Sequence, residues 1–430
     1  MVQVVSKKYK DMKDTQQKID FVSNLQGSHP LIVIKFILLC ITTCTSWKFL
    51  YCKGAVVRDL YIPLMILLSL TKVQVATFVS GFITCIQLIL KIYAATSVRV
   101  RGTNVGVRKK WTIRNVVNVF RGILQLSTII SILAVDFKIY PREFAKTENF
   151  GYSIMDLGVG IYIFSSGIVV KSYMSVLQGI KSTGIMLLIG FGRMVLTKYI
   201  GYQEHVTEYG THWNFFFTLG CIPLLFSLQK KYTQVLDLKK LALGILVFYE
   251  ILLKLGLEKY ILEAPRIDLI SMNREGICSF LGYYGIFLLA VDLGNSTRDQ
   301  EWKVALGVLS RNLLVSVVLT WNAYYNEIQV SRRMANMHYV IWVYTICVGA
   351  ITLIGITDLI FPSSTPIIIE AVNRNQLFVF LVANVLTGLV NMSIDTLNQD
   401  DFSSFIILSG YIITVSILAL LVKDLKMLRF

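Results

Sequence analysis

The stretch SILAVDFKIYPREFAKTENFGYSIMDLGVG, residues 131–160, decides how the chain is built. An apolar run ends at Val135, and Asp136, Lys138, Arg142, Glu143, Lys146 and Glu148 follow before apolar sequence resumes at Ile154. The runs on either side are long and oily enough for membrane helices, so the stretch reads as a short, heavily charged loop at a bilayer surface. Carboxylates and amines in such a place either meet lipid head groups or line a site where chemistry is done.

Working outward, the whole chain has the composition such a loop requires. Its 430 residues are 55% hydrophobic and only 16% charged, with a mean hydropathy of +0.62. That is too apolar for a soluble globular protein of this length and predicts an all-α polytopic integral membrane protein. The net charge of +16 does not point to nucleic acid, because the basic residues sit mainly in short loops, where they orient helices and touch anionic head groups. The seven cysteines lie in or beside apolar runs without paired CxxC spacing, so they read as packing residues rather than a zinc site or disulfide framework.

Spans of about 20 mostly apolar residues cross a bilayer. On that rule about thirteen transmembrane helices are expected, near 31–50, 56–71, 73–95, 115–135, 152–172, 180–200, 213–229, 238–256, 277–294, 303–324, 338–359, 376–394 and 403–422. The organisation predicted is a polar N-terminal segment over 1–30 without a cleaved signal peptide, a single transmembrane domain over 31–422, and a basic tail over 423–430. The basic loops at 99–114 and 230–240 and the basic tail read as cytosolic, which places the N-terminus in the lumen and the C-terminus in the cytosol. The loops at 136–151, 201–214, 257–276, 325–337 and 395–402 then open together on the opposite face. Polar functionality is thereby concentrated on one side, as expected if several loops assemble one site. No internal repeat is visible, which weakens transporter folds built from duplicated halves.

At these loops the chain resembles the GPI inositol-acyltransferase family, the PIG-W type of fungi and animals. The matching stretches are FVSNLQGS at 21–28, ILAVDFKIYPREFAKTENFGYSIMDLGVG at 132–160, HVTEYGTHWNFFFTL at 205–219, APRIDLISMNREGICSFLGYYGIFLL at 264–289, SRRMANMHYVIW at 331–342, and NRNQLFVFLVANVLTGLVNMSIDT at 373–396. One departure is Glu143, where the family leads one to expect a second arginine after Arg142. The resemblance implies an endoplasmic-reticulum membrane enzyme with about thirteen spans. Such an enzyme transfers a fatty acyl chain, palmitoyl by expectation, from acyl-CoA to the inositol ring of glucosaminyl-phosphatidylinositol. It implies acyl-CoA as co-substrate with no further cofactor, membrane lipids and the glycolipid as partners, and no nucleic acid; no protein partner is indicated. A multispan lipid or solute transporter or flippase is the alternative, and it would place its polar residues near the bilayer midplane.

Acyl transfer from a thioester to a hydroxyl needs a base for the alcohol proton, donors for the developing oxyanion, and positive charge for phosphates. Asp136, at a membrane boundary, and Lys146, ten residues on across a turn at Pro141, are the catalytic candidates. His205 and His212 are the rival bases, with Gly210 between them expected to interrupt a helix. No metal site is expected, since no third and fourth ligand are spaced beside the histidines. Arg142, Arg274, Arg332 and Arg333 are phosphate candidates. Trp213, Asn214, Asn273, Glu275, Asn384 and Asn391 complete the substrate-binding candidates. Arg121 and Asp156, on the helices that bracket the central loop, are expected to pair with each other inside the membrane. Gly158, Gly160, Gly167 and Gly388 are expected to let helices pack closely. No Walker A loop, GxSxG elbow or HEXXH is present.

Overall fold

A computed structural model describes residues 21, 23–47, 59–79, 81–82, 112–170, 175–200, 206–232, 237–360 and 365–425. His205 and the basic residues at 99–110 lie outside the described residues. Among the described residues there is no strand; an isolated antiparallel bridge joins Ser28 to Tyr152. The longer helices are α1 (Pro30–Trp47), α2 (Tyr61–Thr71), α3 (Ile113–Ala134), α4 (Ile154–Gly167), α5 (Val176–Ile200), α6 (Phe215–Tyr232), α7 (Leu238–Leu252), α8 (Arg274–Thr297), α9 (Trp302–Tyr325), α10 (Met337–Ile360), α11 (Ile367–Arg374), α12 (Gln376–Ser393) and α13 (Asp401–Leu421).

Eight of these, α1, α3, α5, α8, α9, α10, α12 and α13, are long and apolar enough to cross a membrane. The protein is an all-α polytopic membrane protein. Two expected spans are apolar but shorter: α2 and α4. At about 1.5 Å per residue such helices fall short of a hydrocarbon core about 30 Å thick. The shortening has local causes. Ser153 caps α4 by accepting from Asp156 N–H at 3.0 Å, so the helix begins inside the predicted span. Lys72 ends α2, its N–H donating back to Leu68 O.

The chain divides into two compact units. The first comprises Met1–Ser28, Arg142–Ser296 and Arg311–Cys347. In it α5 and α6 lie against each other through Thr183, which donates to Gly220 O at 2.6 Å, and through Gly190, whose missing side chain makes room for the Phe217 ring. Gly160 and Gly167 perform the predicted close packing, against Val343 and Tyr339 and against Phe287 respectively, whereas a methyl group at Gly158 would meet nothing. The second unit comprises His29–Pro141, Thr297–Ser310 and Val348–Phe430. There Gly122 of α3 seats Ile369 of α11, and the Tyr411 hydroxyl of α13 donates to Ile129 O and Ala383 O, tying three helices. Asp59 is fully buried and accepts from Trp47 Nε1 at 2.7 Å and Ile368 N–H at 3.1 Å. Gly388 has open space around it.

Candidate active site

The first unit gathers its charged loops around Asp156, in the first turn of α4. Asp156 is 3% exposed, and its carboxylate accepts from Arg332 Nε at 2.8 Å, from Thr147 Oγ1 at 2.7 Å and from Thr147 N–H at 3.2 Å. The Tyr339 hydroxyl donates to its carbonyl oxygen at 2.8 Å. One carboxylate therefore fixes the 147 turn to the 332 loop. Removing one partner of a buried pair of this kind costs about 3–5 kcal/mol, because the other charge stays uncompensated.

Lys146, next to that turn, extends to Glu208 Oε1 at 2.7 Å, and Arg332 Nη1 lies 3.9 Å from the same oxygen. Glu208 stands in a one-turn helix, Val206–Tyr209, which Gly210 ends at a φ of 109°. Burial alone would push the Glu208 carboxyl up; Lys146 and Arg332 overcome it and hold the group at about 2. Burial would likewise lower the Arg332 guanidinium, but Asp156 and Glu208 raise it instead. Lys146, Glu208, Arg332 and Asp156 thus form a continuous chain of charges.

A second cluster centres on Glu275, fully buried near the start of α8. It accepts from Arg266 Nη2 at 2.5 Å and Nη1 at 3.0 Å and from Arg333 Nη2 at 2.8 Å, with Arg274 Nε at 3.9 Å. Arg333 also donates to Asn149 Oδ1 at 2.7 Å. The adjacent residues Arg332 and Arg333 therefore join both clusters. Five cations, Lys146, Arg266, Arg274, Arg332 and Arg333, face three carboxylates, Asp156, Glu208 and Glu275. Buried Arg332 Nη1 and Arg333 Nε have no hydrogen-bond partner among the described residues. A buried site with surplus guanidinium is chemically suited to an anion such as a phosphate.

Backbone contacts hold the loops that carry these groups. Glu148 N–H donates to Leu25 O at 3.0 Å, Ser28 N–H to Tyr152 O at 2.7 Å and Gly151 N–H to Val330 O at 2.9 Å. Gly27 (φ 82°) and Gly151 (φ 136°) stand where these segments meet, and a side chain on either would strike the backbone opposite.

The GWT1 family profile matches residues 14–422. The chain belongs to the GWT1 family. GPI-anchored wall transfer protein 1 of Yarrowia lipolytica is 39% identical over 351 residues, covering 72% of this chain and 73% of that protein. The protein of the same name from Saccharomyces cerevisiae is 33% identical over 475 residues, covering 94% and 96%. The phosphatidylinositol-glycan biosynthesis class W protein of Dictyostelium discoideum is 32% identical over 420 residues, covering 83% and 84%.

In this GWT1-family chain Arg274, Glu275, Arg332 and Arg333 meet in one buried network. Other candidates are committed to framework contacts. Asn273 accepts from the backbone N–H groups of His212 and Trp213, each at 2.8 Å, and donates to Leu269 O. Asn214 caps α6 through Phe216 N–H at 3.0 Å and donates to Gly190 O. Trp213 donates from Nε1 to Thr218 Oγ1 at 2.8 Å and packs against Gly276. Arg142 lies over the Phe21 ring, 4.0 Å from its centroid, and Asn384 donates to Phe380 O. In the second unit Asp136 is half-buried and accepts from Asn391 Nδ2 at 2.8 Å.

The expected Arg121–Asp156 pair is replaced by two others. Asp156 takes Arg332, while Arg121 donates from Nη2 to Gln376 Oε1 at 2.6 Å. Asp156 opens α4 at a loop, within hydrogen-bond reach of Thr147 and Arg332. Sequence alone does not single out Glu208, Thr147 and Asn149. The only signal for Glu208 is an acid within the polar loop 201–214, and spacing alone does not say which of many cations it meets.

Proposed function

We propose that the protein is an acyl-CoA-dependent O-acyltransferase of GPI-anchor biosynthesis in the endoplasmic-reticulum membrane, acylating the inositol ring of glucosaminyl-phosphatidylinositol. The observation that carries this reading is the buried cationic surplus around Asp156 and Glu275 in a chain of the GWT1 family. Its relatives' names refer to GPI-anchored wall transfer and phosphatidylinositol-glycan biosynthesis. Both substrates of the reaction carry phosphates, and Arg332 and Arg333 have N–H groups to offer them.

In the reaction the inositol hydroxyl attacks the thioester carbonyl, its proton passes to a base, the C–S bond breaks and CoA leaves as the thiolate, which takes up a proton. Asp136 is the base in this reading, with Asn391 orienting its carboxylate. Lys146 supplies positive charge to the developing oxyanion, and Glu208 fixes its ammonium group.

The test uses purified full-length protein with palmitoyl-CoA and glucosaminyl-phosphatidylinositol, scoring acyl-inositol product. Asp136→Asn and Lys146→Met are expected to abolish product while folding persists. A dead His205→Ala or His212→Ala beside active Asp136 and Lys146 variants would move the base to the 205–214 loop. Absence of product from well-folded wild type would overturn the acyltransferase reading.

A further inference from the structure

Arg193 of α5 stands beside the buried network without being paired in it. Most of α5 faces outward, and Leu188, Phe191, Val195 and Leu196 are all exposed. One stripe of the helix is held differently. Gly190 O accepts from Asn214 Nδ2 at 3.0 Å, and Phe191 lies edge-on to Phe217 at 5.0 Å between ring centroids. Arg193 is three residues beyond Gly190, so it shares the stripe that meets the 210–214 turn. It is half-buried, and its guanidinium makes no hydrogen bond or ion pair among the described residues. Its charge nevertheless reaches the network. Burial raises the Glu208 carboxyl, while Lys146, Arg332 and Arg193 together bring it down. Arg332 supplies a second, independent observation. It is 5% exposed, and its buried Nη1, 3.9 Å from Glu208 Oε1, has no hydrogen-bond partner among the described residues.

We propose that Arg193 and Arg332 Nη1 form an anion subsite, open to the bilayer along α5, that holds the phosphodiester of the lipid acceptor. The inference rests on the acyltransferase reading for the identity of that lipid. Three cations, Lys146, Arg332 and Arg193, act on Glu208, and Asp156 is the other carboxylate on Arg332, so one positive charge is left over. A phosphodiester carries one negative charge and complements it, whereas CoA carries several. An arginine on a span whose neighbours face lipid is costly unless an anion meets it, and a lipid phosphate diffuses along that same surface. A guanidinium can also grip two phosphate oxygens at once. A phosphate held there leaves the inositol ring beside Lys146, whose ammonium group Glu208 fixes.

The experiment measures binding and turnover of glucosaminyl-phosphatidylinositol and of its methylphosphonate analogue, whose linkage is neutral, with the full-length protein in nanodiscs of phosphatidylcholine. Wild type is expected to bind the charged lipid about ten- to hundredfold more tightly, the scale of a hydrogen bond to a charged group. Arg193→Gln is expected to remove most of that preference by raising the Kd and KM of the charged lipid alone, with kcat at saturating acceptor and the KM for palmitoyl-CoA unchanged. Arg193→Lys, which keeps the charge without the fork, is expected to recover part of the loss. Arg311→Gln, at an exposed arginine of α9, is expected to change none of these values. An undiminished preference in Arg193→Gln, a fall in its kcat with acceptor binding intact, or equal losses in Arg311→Gln would overturn the proposal. So would a KM rise that falls on palmitoyl-CoA, which assigns the subsite to a CoA phosphate. Indifference of the wild type to the charge would overturn it whatever the folding of the variants. A wild type that prefers the charged lipid through Arg193 but forms no acyl-inositol would retain the subsite and remove the acyltransferase reading.

Discussion

Arg332 illustrates how a single side chain holds the site. It satisfies Asp156 at 2.8 Å and stands 3.9 Å from Glu208, so Arg332→Met leaves one buried carboxylate without its cation. The expected loss is about 3–5 kcal/mol, and adding Asp156→Asn to Arg332→Met should recover much of it. A thermal-unfolding double-mutant cycle in detergent checks this, and a double variant no better than the single one would deny the coupling. Glu208 gives a pH-dependent counterpart. Its carboxyl is held at about 2 against an ordinary 4.5, so its stabilising contribution is fully present above pH 4.5 and disappears as pH falls through about 2. A shift of that size corresponds to something on the order of 3 kcal/mol. Glu208→Gln should therefore flatten the fall in melting temperature between pH 5 and pH 3, and the same steep fall in both proteins would contradict the assignment.

At the scale of elements, close approach separates glycines that residue type alone treats alike. A Cβ at Gly151 would lie 2.3 Å from Gln26 O and one at Gly27 2.4 Å from Tyr152 O, both at positive φ. Gly151→Ala or Gly27→Ala is expected to cost about 2–4 kcal/mol, since strain and overlap add. Gly158 and Gly388 lie within helices where an added methyl meets nothing, so their alanine variants should gain about 0.5–1 kcal/mol. Melting temperatures of the four variants in one detergent test the contrast, and equal behaviour would show that these approaches do not matter.

For the whole molecule the expected orientation places the sequon Asn295-Ser296-Thr297 on the cytosolic face and a second, Asn391-Met392-Ser393, at the end of α12 beside the opposite loops. The first occupies the last turn of α8, with Thr297 only 1% exposed. Expressed in microsomes with Asn391→Gln, the protein should show a mobility that endoglycosidase treatment does not change, and sugar at Asn295 would reverse the topology. At this scale much is legible in the sequence. Apolar runs predicted the helical membrane fold because hydrocarbon admits helices whose backbone groups pair internally. The crowding of polar residues into alternate loops marks where charge gathers, and in the structure Arg274, Glu275 and Arg333 lie in one buried ion-pair network. Span lengths were less legible: hydropathy does not mark where Ser153 starts a helix, so α4 came out shorter than predicted.

By itself the sequence determined the medium, the helical class, the family and the loops that carry charge, because these follow from local composition and ordered motifs. Only the tertiary structure decided the partners. Lys146 meets Glu208 across 62 residues and Asp156 meets Arg332 across 176, while Arg121 turns to Gln376. Many acid–base pairings in such a chain are consistent with the same sequence. Which one forms depends on the angles at which helices leave the membrane and on backbone contacts such as Gly151 to Val330, which bring particular loops within hydrogen-bond reach.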